Sequence, residues 1–292
     1  MKRTARFFMA LLAMTLGCQE SSGQRYITTD ADKEVAARIL ATLHENKDLS
    51  TPELMVIAAK DLLGTPYVAS TLEEDPFNEE LRVYLTKTDC ILFVETCLNL
   101  ARTVKQSANK VPGFDAFAAN VAKTRYRKAP PYTYSDRIHY TTDWLRRQEG
   151  SLEDLTLSLG GKEDPRPINF MTRHPKSYKQ LADADNIPRA ALDLGRIGEV
   201  EDELNKIPMT YIPKDRIAAA AKGIRSGDII CFVSSVEGLD IAHVAIAYVE
   251  DGRVGFIHAS QADGKVEIDG RTIEEYVRPR SNLSGIKVVR PL

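Results

Sequence analysis

Cys90, His243 and His258 are the residues whose types and spacing suit nucleophilic catalysis. Asp251-Gly252 separates two alternating apolar runs, the strongest short signal for a β-hairpin. A two-residue turn there pairs Glu250 with Arg253, which sets His243 opposite Ser260 and His258 opposite Ala245. Opposed residues share a sheet face, so both imidazoles are expected on one side as diagonal neighbours, roughly 7 Å apart. Ala245 and Ala247 share that face, and their small side chains leave room for a helix end to dock there. Thr88-Asp89 reads as the cap of an apolar helix starting at Cys90. A thiol in the first turn meets the positive end of the helix dipole, and an adjacent imidazole would favour thiolate further. His243 then serves as base and His258 orients its ring, the division of labour in hydrolase triads. The backbone N–H of Cys90 is the first oxyanion donor, worth about 3 kcal/mol in the transition state. Tyr67, on the turn after Pro66, is the expected second donor. This chemistry calls for no metal and no other cofactor.

The remaining thiols and imidazoles have plainer roles. Cys97 and Cys231 read as small buried hydrophobes. Cys90 and Cys97 lie about 10 Å apart along one helix, too far to bridge. His44 reads as a solvated helix residue, and His139 and His174 as structural hydrogen bonders. Gly227-Asp228 ahead of an apolar run is turn chemistry.

The elements that must hold these groups come in two blocks. Helical periodicity runs from Asp30 to Leu63 in two stretches, the second opened by Ser50-Thr51-Pro52-Glu53. Gly64-Thr65-Pro66-Tyr67 breaks it and leads into an extended piece, Tyr67 to Leu72. After the Cys90 helix, residues 105 to about 222 hold short helical patches and many prolines. Strand periodicity then covers Asp228–Ser234, Ile241–Glu250, Arg253–Ala259, Lys265–Ile268 and Gly285–Arg290. Helices first and an antiparallel sheet afterwards predict an α+β fold. No linker separates two cores, so residues 30–292 read as one domain with a large mid-chain insertion.

The chain has 292 residues, 43% hydrophobic and 27% charged, a composition that folds rather than stays disordered. A formal charge of −2 argues against a nucleic-acid partner. Lys2, Arg3 and Arg6 precede the apolar stretch Phe7–Leu16, which is too short to span a bilayer. That pattern reads as an export signal over residues 1–17, followed by a tether over 18–29. Its loss takes three positive charges and brings the net charge from −2 to −5.

Three longer motif sets carry resemblances. Leu16-Gly17-Cys18, ahead of polar Gln19-Glu20-Ser21-Ser22, resembles the lipobox of bacterial lipoproteins. That implies a lipidated Cys18, a membrane anchor and a periplasmic place in the cell envelope. Gly64-Thr65-Pro66-Tyr67, Asp89-Cys90, Gly227-Asp228, Ala242-His243-Val244-Ala245-Ile246 and Phe256-Ile257-His258-Ala259 follow the order found in the NlpC-like, papain-fold cell-wall peptidases. Within that superfamily the chain resembles the N-acetylmuramoyl-L-alanine amidase-like branch. The resemblance rests on Tyr67-Val68-Ala69-Ser70-Thr71-Leu72-Glu73, on Ser135-Asp136-Arg137-Ile138-His139-Tyr140 with Asp143-Trp144, and on Ile168-Asn169-Phe170-Met171 running to His174-Pro175 and Tyr178. It implies a papain-like core of helices on an antiparallel sheet, with Cys90 as nucleophile, His243 as base and His258 as third polar residue. The implied reaction cuts the amide between muramic acid and L-alanine in peptidoglycan fragments. Ile91-Leu92 stand where relatives carry small polar residues.

The insertion's Arg125, Tyr126, Arg127, Tyr132, Tyr134, Arg137, Tyr140 and Trp144 combine cations with stacking surfaces. Arg137, Tyr140, Trp144 and Glu73 are therefore expected to line the cleft and grip a muropeptide, with arginine meeting stem-peptide carboxylates. Three alternatives stand beside the amidase: a cut at the γ-D-glutamyl–diamino acid bond, a zinc site made of Cys90, His243 and His258, and a non-catalytic binding lipoprotein.

Overall fold

The structure, a computed structural model, describes residues 25–75 and 77–292. The expected signal peptide, most of the tether, and Cys18 lie outside the described residues. Four helices come first in the chain: α1 (Asp30–Glu45), α2 (Thr51–Asp61), α3 (Cys90–Gln106) and α4 (Phe114–Arg125). Thr29 and Asp32 close a capping box at the start of α1, and Ser50 and Glu53 do the same for α2. Apolar residues such as Ile39, Leu43, Leu54, Ala58, Phe93, Leu98 and Phe117 are buried together where these helices meet.

The middle of the chain supplies α5 (Thr141–Arg146), β1 (Leu152–Asp154), β2 (Lys162–Asp164), α6 (Phe170–Arg173), α7 (Pro188–Leu204), β3 (Met209–Pro213) and α8 (Ile217–Ala220). After it come β4 (Ile229–Ser234), β5 (Ile241–Glu250), β6 (Arg253–Ser260), β7 (Lys265–Ile268), α9 (Ile273–Val277) and β8 (Leu283–Pro291). The sheet runs β2-β3-β8-β4-β5-β6-β7, with β1 also paired to β8, and every ladder is antiparallel. The fold is α+β.

β4 is buried along its whole length because both of its faces are covered. Ile229, Cys231 and Val233 face α1–α4, together with Val244, Ile246 and Ile257. Ile230 and Phe232 face the other way, onto α8 and α9, together with Ala245, Ala247 and Phe256. The turn into β4 requires glycine. Gly227 has φ +89°, and a Cβ there would sit 2.3 Å from the carbonyl oxygen of Pro52. Asp228 accepts from the Arg225 amide at 2.8 Å and pairs with Arg290, so the turn is held at both ends.

The extended piece expected over Tyr67–Leu72 is short: Tyr67 makes an isolated bridge to Thr88, and the chain then turns, with Ser70 at φ 60°. The mid-chain stretch is tied into the same domain, because β1 and β3 pair with β8 and α4 joins the main core. Within that stretch a small core of its own forms from Tyr134, Tyr140, Ile168, Met171, Ile197 and Leu204.

Candidate active site

The hairpin adopts the register expected from its turn, Glu250↔Arg253 through Ile246↔Ile257. Pairing of β5 with β6 stops there. β5 carries a bulge against β4 near His243, while β6 continues against β7 with His258 opposite Glu267. The strands therefore part at the two histidines. Their rings stay on one face, with His243 Nε2 and His258 Nδ1 2.7 Å apart and ring centroids at 5.0 Å. Phe232, Phe256 and Tyr276 close around them with centroid distances of 4.9–6.3 Å to the imidazoles.

Asp89 caps α3 by accepting from the Leu92 amide at 2.9 Å, which puts Cys90 in the first turn. α3 packs on the Val244/Ile246 side of the sheet, not on the Ala245/Ala247 face where docking was expected. Ala245 and Ala247 instead make room for the α8–α9 layer. The thiol approaches the strand that carries His243 from the other side. The amide of Val244, next to His243 and just beyond the last β5–β6 pair, donates to Sγ of Cys90. The thiol thus lies near the point where the two strands part.

Cys90 is partly exposed. Burial of its thiol and the carboxylate of Asp89 nevertheless push it up to about 12, against the N–H groups of Val244, Ile91 and Cys90 itself. Burial pushes His243 down to about 3 and His258 down to about 4. The resting site therefore holds a neutral thiol beside neutral imidazoles. This corrects the expectation of a standing thiolate: the helix end helps, but desolvation wins. Tyr67 is pushed up to about 12 by burial, then by Cys90 and Asp89, so its hydroxyl keeps its proton.

The depressed histidines set a pH dependence of stability. The unfolded chain takes up their protons near pH 6.5, whereas the fold refuses them until about pH 4. Stability is expected to fall as pH drops from 6.5 towards 4. Thermal melts across that range measure it, and His258→Asn should flatten the slope; an unchanged slope would count against the neutral pair.

Two cavities adjoin the group. One of about 570 Å³ is lined by Glu73, Asp89, Ile91, Leu92, Arg137 and Gln180, among others. The other, about 380 Å³, is lined by His243, His258, Asp263, Arg271, Tyr276 and Arg280, among others. A family model described as AmiA-like, N-acetylmuramoyl-L-alanine amidase-like, matches residues 57–286. The chain belongs to this family. Among solved structures, an N-acetylmuramoyl-L-alanine amidase from Bacteroides uniformis is 31% identical, with a TM-score of 0.71 over 83% of this chain and 99% of that one. A Bacteroides fragilis protein provisionally named a xylanase is 30% identical, with a TM-score of 0.68 over 80% of this chain and 98% of that one. Protein LPG0564 from Legionella pneumophila, 20% identical over 90% of this chain and 96% of that one, has a TM-score of 0.66 and shares the fold. No curated protein matches.

For this amidase-like chain, the expected gripping residues need correction. Tyr140 and Trp144 are 3% and 4% exposed and lie in the cores. The hydroxyl of Tyr140 donates to Glu201 at 2.5 Å and accepts from the Met171 amide at 2.9 Å, so neither ring offers a stacking surface to a sugar. Arg137 does reach the larger cavity, as does Glu73, but the two are paired with each other, and Arg137 Nε is also 3.5 Å from Glu79. Its charge is already neutralised. Most of the segment's cations are likewise committed to internal carboxylates: Arg125 to Glu95 and Arg127 to Asp143. His139 is half-buried at the wall of the larger cavity with its Nε2 2.8 Å from the Tyr134 carbonyl, and the ring of His174 packs on Phe170.

Asp269 and Arg271, beside His258, were not anticipated. A signal existed: Asp263-Gly264 marks a second tight turn, and its register puts Glu267 opposite His258 and Asp269 on the same face.

Proposed function

We propose that this amidase-like protein is a cysteine-dependent N-acetylmuramoyl-L-alanine amidase acting on peptidoglycan fragments. The observation that supports it most is the hydrogen-bonded His243–His258 pair at a strand split, with the thiol of a helix N-terminus at the Val244 amide beside it. Sγ of Cys90 attacks the lactyl carbonyl carbon as its proton passes to His243. The oxyanion is received by the Cys90 N–H and by the Tyr67 hydroxyl. Collapse breaks the C–N bond, and the His243 proton goes to the departing L-alanine nitrogen. Water, deprotonated by His243, then hydrolyses the thioester and frees the lactyl carboxylate. His258 holds the ring of His243 throughout. Ancestry among papain-fold, NlpC-like peptidases fits the same helix-end cysteine and hairpin histidine.

Two ring nitrogens bonded to each other do not converge on a shared point, so the pair favours this chemistry over a zinc site made with Cys90. Among the described residues no helix is long and apolar enough to cross a membrane. Attachment to the envelope is assigned to a lipid on Cys18, on the lipobox-like Leu16-Gly17-Cys18, and loss of fatty-acid labelling in Cys18→Ser is its test.

Mass spectrometry of digested soluble muropeptides decides the cut. The expected products are the lactyl sugar and an intact stem peptide beginning with L-alanine. Release of a peptide beginning with the diamino acid, or of separated sugars with the stem retained, would overturn the proposal. Tyr67→Phe should lower kcat about 10²-fold with KM little changed.

A further inference from the structure

His258 Nε2 is buried and makes no hydrogen bond, while its other nitrogen is engaged by His243. An orphaned buried N–H is costly, so the groups around it matter. Its nearest acidic oxygens are Asp269 Oδ2 at 3.5 Å and Glu267 Oε1 at 3.7 Å. The two carboxylates differ. Asp269 is buried and fixed by Arg271, through Nε at 2.8 Å, Nη2 at 2.7 Å and the backbone amide at 2.9 Å. Burial pushes Asp269 up, but these hydrogen bonds win and hold it below the usual range, as an anion. Glu267 is more exposed, hydrogen-bonds with Asp263 and is pushed up by burial, so it has a competing use.

We propose that Asp269, locked by Arg271, is a positioning residue that fixes the tautomers of both active-site imidazoles in series. This rests on the cysteine-amidase reading above. With Asp269 facing it, His258 carries its proton on Nε2 and leaves Nδ1 as an acceptor. His243 must then donate through Nε2, which strips Nδ1 of its proton and frees that nitrogen to take the thiol proton. Were His258 to carry its proton on Nδ1 instead, His243 would be pushed to the Nδ1–H form, which cannot act as base towards Cys90. The 3.5 Å gap is long for a hydrogen bond, as resting catalytic contacts often are, and it tightens once charge develops on the histidines.

The test reads the rings directly. ¹⁵N-imidazole spectra of the purified protein at pH 7 should show both His243 and His258 as Nε2–H. Asp269→Asn should populate the Nδ1–H form of His243 and lower kcat on the order of 10²-fold, with KM within about threefold, by analogy with the tautomer loss in serine hydrolases. The charges facing His258 are Asp269, Glu267, Asp263, Arg271 and Arg280, with His243 and Tyr276 beside it. Of these, Asp269 and Asp263 raise the basicity of His258, whereas Arg271 and Arg280 lower it. Removing the Asp269 charge should therefore shift the acid limb of kcat/KM to lower pH.

Wild-type His258 protonated on Nδ1 would overturn the proposal without any variant. So would an Asp269→Asn protein with unchanged ring signals and kcat, or a Glu267→Gln protein that reproduces the whole effect. The spectra need no substrate. An inactive wild type would thus sink the amidase reading and leave the tautomer result standing.

Discussion

Cys90→Ala is expected to lower muropeptide amidase kcat/KM by at least about 10⁴-fold, the scale seen when a nucleophile is removed from a preorganised triad. The fold should survive. Cys90 is partly exposed, and losing its sulfur takes a partner from the amides of Val244, Ile91 and Cys90, a cost of about 1–3 kcal/mol. Coincident loss of turnover and retention of the melting transition is the expected pair of results. Cys90→Ser keeps an acceptor for Val244 and should be as stable as the parent, yet remain nearly inactive because the hydroxyl is the weaker nucleophile. Full activity in Cys90→Ala would leave the site with no nucleophile and turn attention to a non-covalent or metal-assisted route. Iodoacetamide and a chelator separate those routes: the thiol reagent should silence the wild type and the chelator should spare it.

The part of the site legible in the sequence is the part made by local rules. An Asp-Gly turn fixes a hairpin register, and a register fixes which side chains share a face, so the common face of His243 and His258 followed from counting residues, whereas the parting of the strands that brings their rings to 2.7 Å did not. The cap at Asp89 and the position of Cys90 were equally local. Which face of the sheet α3 would cover was not legible, because it depends on how β5 and β6 part and on where α8 and α9 lie. The protonation state was missed for a related reason. Helix-dipole arguments give the sign of one contribution, whereas desolvation depends on how deeply Phe232, Tyr276 and the sheet enclose the group. The segment from Arg125 to Trp144 misled most. Aromatic and cationic composition looks alike whether it faces a ligand or a carboxylate from a distant part of the chain. Glu73, Glu79 and Glu95, which neutralise Arg137 and Arg125, lie far away in sequence.

Arg137→Ala separates those two meanings, and the expected outcome is a loss of stability. Arg137 is 4% exposed, packs its guanidinium 5.0 Å from the Tyr134 ring centroid, and stands between Glu73 and Glu79. Burial already pushes Glu79 up even with the arginine beside it. Removing the cation leaves two carboxylates close together with only Gln180 and Tyr126 as donors. Breaking one side of such a buried pair costs about 3 kcal/mol or more, which lowers Tm by roughly 6–10 °C in a chain of this size. Because Glu79 would then ionise only at higher pH than before, the deficit should be largest near neutrality and shrink towards pH 5. Adding Glu79→Gln removes the uncompensated charge and should recover part of the loss, a coupling that a double-mutant cycle measures. Well below the lowered Tm, KM should stay within a few-fold of the parent. A variant with unchanged Tm and a KM raised tenfold or more would show instead that Arg137 leaves its carboxylates to hold the substrate, and that the aromatic and basic segment does grip the muropeptide.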